Sequence, residues 1–184
     1  CTVTDLAGNT AEKSFTITIQ DTTAPDTTIT SNPTNPSNTS SAEFEFESNE
    51  SGSTFECKMD SGAWQTCTSA KEYTGLSDGS HTFYVRATDT SGNTDATPAE
   101  YTWTIDTTAP DTTITSNPTN PSSTSSATFA FTSPDATATF ECKMDSGAWQ
   151  TCTSAKEYTG LSDGSHTFYV RATDTSGNTD ATPA

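Results

Sequence analysis

Positive charge is scarce in this chain. Seven lysines and arginines stand against 24 aspartates and glutamates, a formal net charge of −17. Nucleic acids and anionic membranes select for Lys and Arg, so neither is an expected partner, whereas the acidic balance permits cations. Apolar residues are also few, 29% against a usual share of about 45–50%. No apolar run approaches the length of a membrane-spanning helix. Helical periodicity is missing throughout. There is no glycine-rich phosphate loop and no nucleophile–base constellation, so an enzyme is not expected and no catalytic residue is assigned. The two histidines, His81 and His166, read as packed, hydrogen-bonded residues on the apolar face of a strand. Ser80 precedes His81, but neighbours on a strand point to opposite faces and cannot form a Ser–His pair.

What the chain has instead is repetition. Asp21-Thr-Thr-Ala-Pro-Asp-Thr27 returns as Asp106–Thr112, 85 positions on. Residues 21–99 set against 106–184 give 79 pairs with nine differences, all between positions 38 and 53. The first 20 residues match the end of a unit: Thr4–Thr10 aligns with Thr88–Thr94, and Phe15–Ile19 with Tyr101–Ile105. The expected organisation is therefore the last strands of one unit at 1–20, a complete unit at 21–105, and a unit at 106–184 without its last strand.

Period-two alternation marks the strands. His81, Phe83, Val85 and Ala87 share one face; Tyr101, Trp103 and Ile105 share another. Glu43-Phe-Glu-Phe-Glu47 becomes Thr128-Phe-Ala-Phe-Thr132 in the second copy, so alternate residues change while both phenylalanines stay. That is the pattern of a half-buried strand. The same regular alternation argues against disorder, which the net charge alone would suggest. Seven strands per unit are expected, near 26–31, 42–48, 54–59, 64–68, 71–74, 80–89 and 100–105, separated by Pro-, Gly- and Asn-rich turns. The fold class this predicts is all-β: tandem immunoglobulin-like, fibronectin III-like β-sandwiches.

Of five cysteines, Cys57 with Cys67 and Cys142 with Cys152 are paired by spacing. A lone pair with nine residues between its members is poor zinc spacing and good disulfide spacing. Folding the hairpin about Gly62 places Cys57 directly opposite Cys67. Cys1 aligns with Val85, inside a strand, and is expected to pair with an upstream cysteine or to be a buried thiol. Disulfides point to an oxidising, extracellular setting.

Carboxylates gather where units join. In an immunoglobulin-like topology Asp21, Asp26, Asp89 and Asp95, with Asn93 and Glu50, come together at one joint. Asp106, Asp111, Asp174 and Asp180, with Asn178 and Asp135, do so at the next. Such oxygen sets suit Ca²⁺, which takes about six to eight oxygens; the alternative is Asp used for turns and strand ends. No other cofactor is expected. Asn38-Thr-Ser40 and Asn49-Glu-Ser51 are glycosylation sequons absent from the second copy.

Asp-Thr-Thr-Ala-Pro-Asp-Thr at 21–27 and 106–112, the Cys57–Cys67 hairpin, and Gly75-Leu-Ser-Asp-Gly-Ser-His-Thr-Phe-Tyr-Val-Arg-Ala-Thr-Asp89 together resemble the bacterial immunoglobulin-like repeats of large surface and secreted proteins, including adhesins. The first 20 residues resemble the end of a related hyalin-type or bacterial Ig-like repeat. The resemblance implies a cell-surface module, and joint aspartates as the residues that hold calcium where such repeats are stiffened by it. Three functions are compatible with it: a rod-like spacer or stalk in an adhesin or filament, a glycan- or protein-binding module using exposed aromatics such as Tyr84, and a filament subunit whose last strand a neighbouring chain supplies. The expected partners are neighbouring repeats of the same protein, other copies of itself, or a glycan or protein ligand. With so few apolar residues, the hairpin disulfide matters to stability. Replacing Cys57 and Cys67 by Ser is expected to cost about 2–3 kcal/mol, read from the first copy's denaturant midpoint.

Overall fold

A computed structural model describes residues 1–184 as an all-β chain. In the first copy, β3 (Thr27–Ser31), β4 (Ala42–Ser48) and β7 (Lys71–Tyr73) form one sheet in the order β3-β4-β7. The facing sheet runs β6-β5-β8-β9, from β5 (Thr54–Met59), β6 (Gln65–Cys67), β8 (Gly79–Thr88) and β9 (Ala99–Ile105). Three strands packed on four in this order make an immunoglobulin-like sandwich of the fibronectin III kind. The second copy repeats it with β10 (Thr113–Ser116), β11 (Ala127–Thr132) and β14 (Lys156–Tyr158) against β12 (Thr139–Met144), β13 (Gln150–Cys152) and β15 (Phe168–Thr173).

The alternation in sequence becomes the core. Ala42, Phe44 and Phe46 of β4 point inward while Glu43, Glu45 and Glu47 are exposed. Phe44 stacks on Phe83 with ring centres 4.1 Å apart, and Trp103 closes the cluster edge-on to Phe44 at 5.2 Å. The swap of glutamates for Thr and Ala also has a cross-strand reason. Glu43 faces Glu72 across β4 and β7, a like-charge pair that Thr128 opposite Glu157 avoids.

Both disulfides form, Cys57–Cys67 and Cys142–Cys152, and all four sulfurs lie in the cores. They are diagonal rather than directly opposed: Cys57 faces Gln65 and Cys67 faces Phe55. The hairpin turns about Ser61, one residue before Gly62. β5 runs to Met59, Asp60 adopts a positive φ of 53°, and pairing resumes only at Gln65. A β-carbon at Gly62 would lie 2.9 Å from the Met59 carbonyl oxygen, so the turn needs glycine there.

Trp64 points outward. Arg86 stacks on its ring at 4.4 Å and Lys58 lies over it at 5.1 Å, while Lys58 also covers Tyr84 at 4.4 Å. Arg86 donates to Glu56 at 2.7 Å. Lys143, Trp149, Tyr169 and Arg171 repeat this ladder, and Lys71 and Lys156 lie over Tyr73 and Tyr158. Six of the chain's seven cations thus rest on aromatic rings, all except Lys13.

The first 20 residues depart from expectation. They form a small hairpin, β1 (Thr2–Thr4) with β2 (Thr10–Glu12), and Phe15–Ile19 is not a strand. Without a sheet to join, Phe15, Ile17 and Ile19 stand 85%, 72% and 91% exposed. Cys1 is a free, exposed cysteine rather than a buried thiol.

His81 is buried, as its place on the apolar face of β8 predicts. Its Nδ1 lies 2.9 Å from Asp60 Oδ2 and its Nε2 2.8 Å from the Ser77 carbonyl oxygen. Both neighbours are acceptors, so only the doubly protonated ring satisfies both. The bond to Asp60, then that to Ser77, raises the His81 pKa above 6.5. Burial pushes Asp60 up, but His81 and the Thr82 N–H hold it below 3.8. The His81 contribution is complete below pH 6.5 and fades as pH rises through its higher folded value. The Asp60 contribution is complete above pH 3.8 and is lost as pH falls through its lower folded value. The melting temperature is therefore expected to drop by a few degrees as pH rises from about 6 to 9, solvent at Asp60 limiting the effect. His81→Gln with His166→Gln should flatten the profile.

Candidate functional site at the joints between copies

Two kinds of contact converge on the linker between copies. From the first copy, the β7–β8 turn presents Asp78. Its Oδ1 accepts the Thr107 N–H at 3.1 Å and the Thr107 hydroxyl at 2.8 Å, and its Oδ2 accepts the Thr108 hydroxyl at 3.2 Å. These bonds, the Thr107 hydroxyl first, hold the Asp78 carboxyl below its ordinary value. From the second copy, the turn Asp174–Asn178 presents Asn178, which donates to the Asp106 carbonyl at 2.7 Å. The Ser176 hydroxyl donates to Asp106 Oδ2 at 3.5 Å. The Asp106 N–H is itself held by the Ser37 carbonyl at 2.9 Å. Asn38 also reaches this turn: a β-carbon added at Gly177 would lie 3.3 Å from its Nδ2. The linker is thus fixed from both sides by short polar side chains.

Asp78 was legible in sequence only as part of a Ser-Asp-Gly turn. Its role depends on the turn lying against the next linker, 29 residues away. The Thr-Thr that follows Asp106 is the one signal for it, since paired hydroxyls offer an Asp donors to accept.

The aspartates expected at the joints divide into two groups. Asp89 folds its own turn, accepting the Asn93 side chain at 2.7 Å and the Ser91 and Asn93 N–H groups at 2.8 Å each. The Asn93 side chain contributes most to holding its pKa down. Asn93 also donates to the Asp21 carbonyl at 3.0 Å, as Asn178 does to Asp106. Asp174 repeats this: burial pushes its carboxyl up, and Asn178 pulls it below the usual value. Carboxylate oxygens of Asp21, Glu50 and Asp89 all lie within 4.8 Å of one another. Three hard oxygen donors at that spacing suit a divalent cation such as calcium.

Asp95 and Asp180 are not in this group. Both are buried, 4% and 5% exposed. Asp95 accepts the Thr27 N–H at 3.1 Å and the Thr97 N–H and hydroxyl at 2.8 and 3.0 Å, while the Thr27 hydroxyl accepts the Ala87 N–H at 2.9 Å. It is a peg that ties the start of β3 to β8. Asp180 accepts from Thr182 in the same way, and Thr112 from Ala172. Asp26 pairs through its backbone with Asn49 and its side chain is exposed, outside the cluster; Asp111 is likewise exposed. The two joints also differ. Asp135, the counterpart of Glu50, turns onto Thr137, accepting its N–H at 2.8 Å and hydroxyl at 2.7 Å. Gly52 stands where the second copy has Thr137 and offers no hydroxyl, and the Glu50 carboxylate lies beside Asp21 and Asp89.

Both sequon asparagines, Asn38 and Asn49, are exposed. One ring face of Tyr84 is covered by Lys58. Removing the carboxylate in Asp78→Ala should broaden the distribution of spin-label distances between copies while leaving the melting of each unchanged.

No protein-family model and no curated protein matches the chain. Among solved structures, the crystal structure of the chicken CNTN1 FN1–FN3 domains is similar over 100% of this chain and 71% of its own, with a TM-score of 0.42 and 10% sequence identity.

Proposed function

We propose that this chain is a non-enzymatic, extracellular structural array: a rod-like spacer or stalk of the bacterial surface type its motifs resemble. The observation that carries this role is the linker between two near-identical units, held by Asp78 on one side and Asn178 on the other. A joint made from residues within each repeat can be copied without limit, and it fixes the angle between successive units. The nine differences between copies spare the buried side chains of the strands, the disulfide and the Asp78 turn. Those are the parts a length-setting module must keep. Disulfides suit an oxidising, extracellular place, and none of the secondary structure is a helix long and apolar enough to cross a membrane.

Calcium is proposed as a stiffening ligand at the joint that gathers Asp21, Glu50 and Asp89. It would relieve repulsion among three carboxylates and tie the β4–β5 and β8–β9 loops to the linker. Small-angle scattering of the full chain and of chains with added repeats tests the spacer role. The maximum dimension is expected to grow by one constant increment per repeat; a dimension that grows as a flexible coil would reject the rod. Calcium is expected to raise the melting midpoint by a few degrees, with Glu50→Gln removing the gain. A midpoint indifferent to chelator would dismiss calcium and leave the rod standing. Selective, Tyr84-dependent binding on a glycan array would replace the spacer role with adhesion.

A further inference from the structure

The turn that seats the linker is itself held by a histidine. Leu76 packs on the core of the first copy, and its N–H donates to the Ser40 carbonyl at 2.9 Å. The ladder between β8 and β9 begins at Gly79, opposite Ile105. Only Ser77 and Asp78 lie between these two anchors. Asp78 grips the linker, accepting from Thr107 and Thr108. Ser77 is tied inward, its carbonyl oxygen 2.8 Å from His81 Nε2. His81 is thus connected to the linker through two adjacent residues.

The ring has little slack. Its Nδ1 lies 2.9 Å from Asp60 Oδ2, the Trp103 ring centre is 5.8 Å away on β9, and the side chain is 11% exposed. Both ring nitrogens face oxygens that can only accept, so both must carry a proton for both bonds to stand. A neutral ring has one N–H. The Asp60 carboxylate is the stronger acceptor and keeps it. The Nε2 lone pair then points at the Ser77 carbonyl oxygen across 2.8 Å, a repulsive contact that leaves no room for water. Gly79, at a φ of 126°, gives the chain a residue without a side chain at which the turn can move.

We propose that His81 makes the joint between copies sensitive to pH: with both nitrogens protonated it locks Ser77 and so aims Asp78 at the linker, and with one proton lost it frees the turn and loosens the joint. This names a regulation of the joint and rests on the rod reading drawn from the same linker contacts.

Charges around the ring set where the change falls. From the β5–β6 turn, Asp60 touches it; in the β7–β8 turn, Asp78 is bonded to Thr107 and Thr108 instead; β9 brings the uncharged Trp103. The bond to Asp60, then that to Ser77, raises the His81 pKa above 6.5. The lock is therefore closed below pH 6.5 and opens as pH rises through the higher folded value. The Asp60 and Asp78 carboxyls both lie below their ordinary value of 3.8 and stay ionised throughout. Along the path from Asp60 through His81, Ser77 and Asp78 to Thr107, His81 is the group that changes charge. The second copy builds the same lock. His166 lies 2.7 Å from Asp145 Oδ2 and 2.9 Å from the Ser162 carbonyl oxygen, and Asp163 follows. His166 makes no hydrogen bond to residues 106–112, so it serves as a control for this joint.

The test measures distances between spin labels at Glu43 and Thr128, exposed counterparts on the two copies, carried by keto amino acids so that the disulfides stay intact. Between about pH 6 and about pH 9, the distance distribution is expected to broaden to the width that Asp78→Ala shows at both. Its midpoint should coincide with that of the His81 ring, followed by NMR, a comparison that needs no variant. His81→Gln should abolish the pH dependence, and His166→Gln should leave it. A distribution narrow at both pH values, a midpoint apart from that of His81, or loss of the effect in His166→Gln would overturn the lock and leave the rod standing. A distribution broad at both would reject the rod reading together with the lock.

Discussion

Closure of a small core by one final strand is the constraint on which the rest of this structure depends. With 29% apolar residues, each sandwich has few side chains to bury. The contact that completes the first is Trp103, set edge-on against Phe44 and fully buried, with Ile105 beside it. The second copy packs the same core without that strand. Phe129 still stacks on Phe168 at 4.2 Å, and the disulfide is the same, yet the buried cluster shrinks from nine residues to five. Half of one strand loses its ladder. Backbone pairing and aromatic burial fail together because the same strand supplies both.

Where apolar burial is limited, polar side chains take over the finer positioning. Asp60 and His81 lock the turn that the disulfide hairpin begins. Asp95 and Thr27 pin the first strand to β8 from inside. Asp78 and Asn178 seat the linker. Almost every cation is set over an aromatic ring on the outer faces, where a flexible lysine or arginine stem covers apolar surface and keeps its charge in water. Behind the net charge of −17, aspartate acts chiefly as a hydrogen-bond acceptor for backbone and hydroxyl groups.

The two copies show how little change is needed to alter a joint. Five substitutions in one loop, Asn49–Ser53 against Pro134–Ala138, separate a carboxylate held locally from one that is not; among them Gly52 stands against Thr137. With threonine there, Asp135 is satisfied within its own loop. With glycine, Glu50 is drawn into a group with Asp21 and Asp89. A joint with clustered carboxylates and a purely hydrogen-bonded one can therefore be built on the same frame.

The repeat, the strands, the facing of Phe44 and Phe46, the disulfide partners and the burial of His81 were all legible in the linear chain. Each is written in a period of two or a spacing, and both are local quantities. Register and hydrogen-bond allegiance were not. Cys57 and Cys67 sit diagonally because the hairpin turns about Ser61 rather than Gly62, at a turn where Asp60 holds a positive φ and is bonded to the distant Thr82. Asp95 and Asp89 look alike in sequence, but one is buried as a peg and the other caps an exposed turn, because only the packed sheets bring Thr27 over Asp95. Phe15–Ile19 has the pattern of a strand and is not one, since a strand needs a neighbour to supply its hydrogen bonds. The sequence by itself determined which faces are apolar and how often the unit recurs. Tertiary structure alone decided which carboxylates meet and in which register the strands pair, because those depend on contacts between residues far apart along the chain.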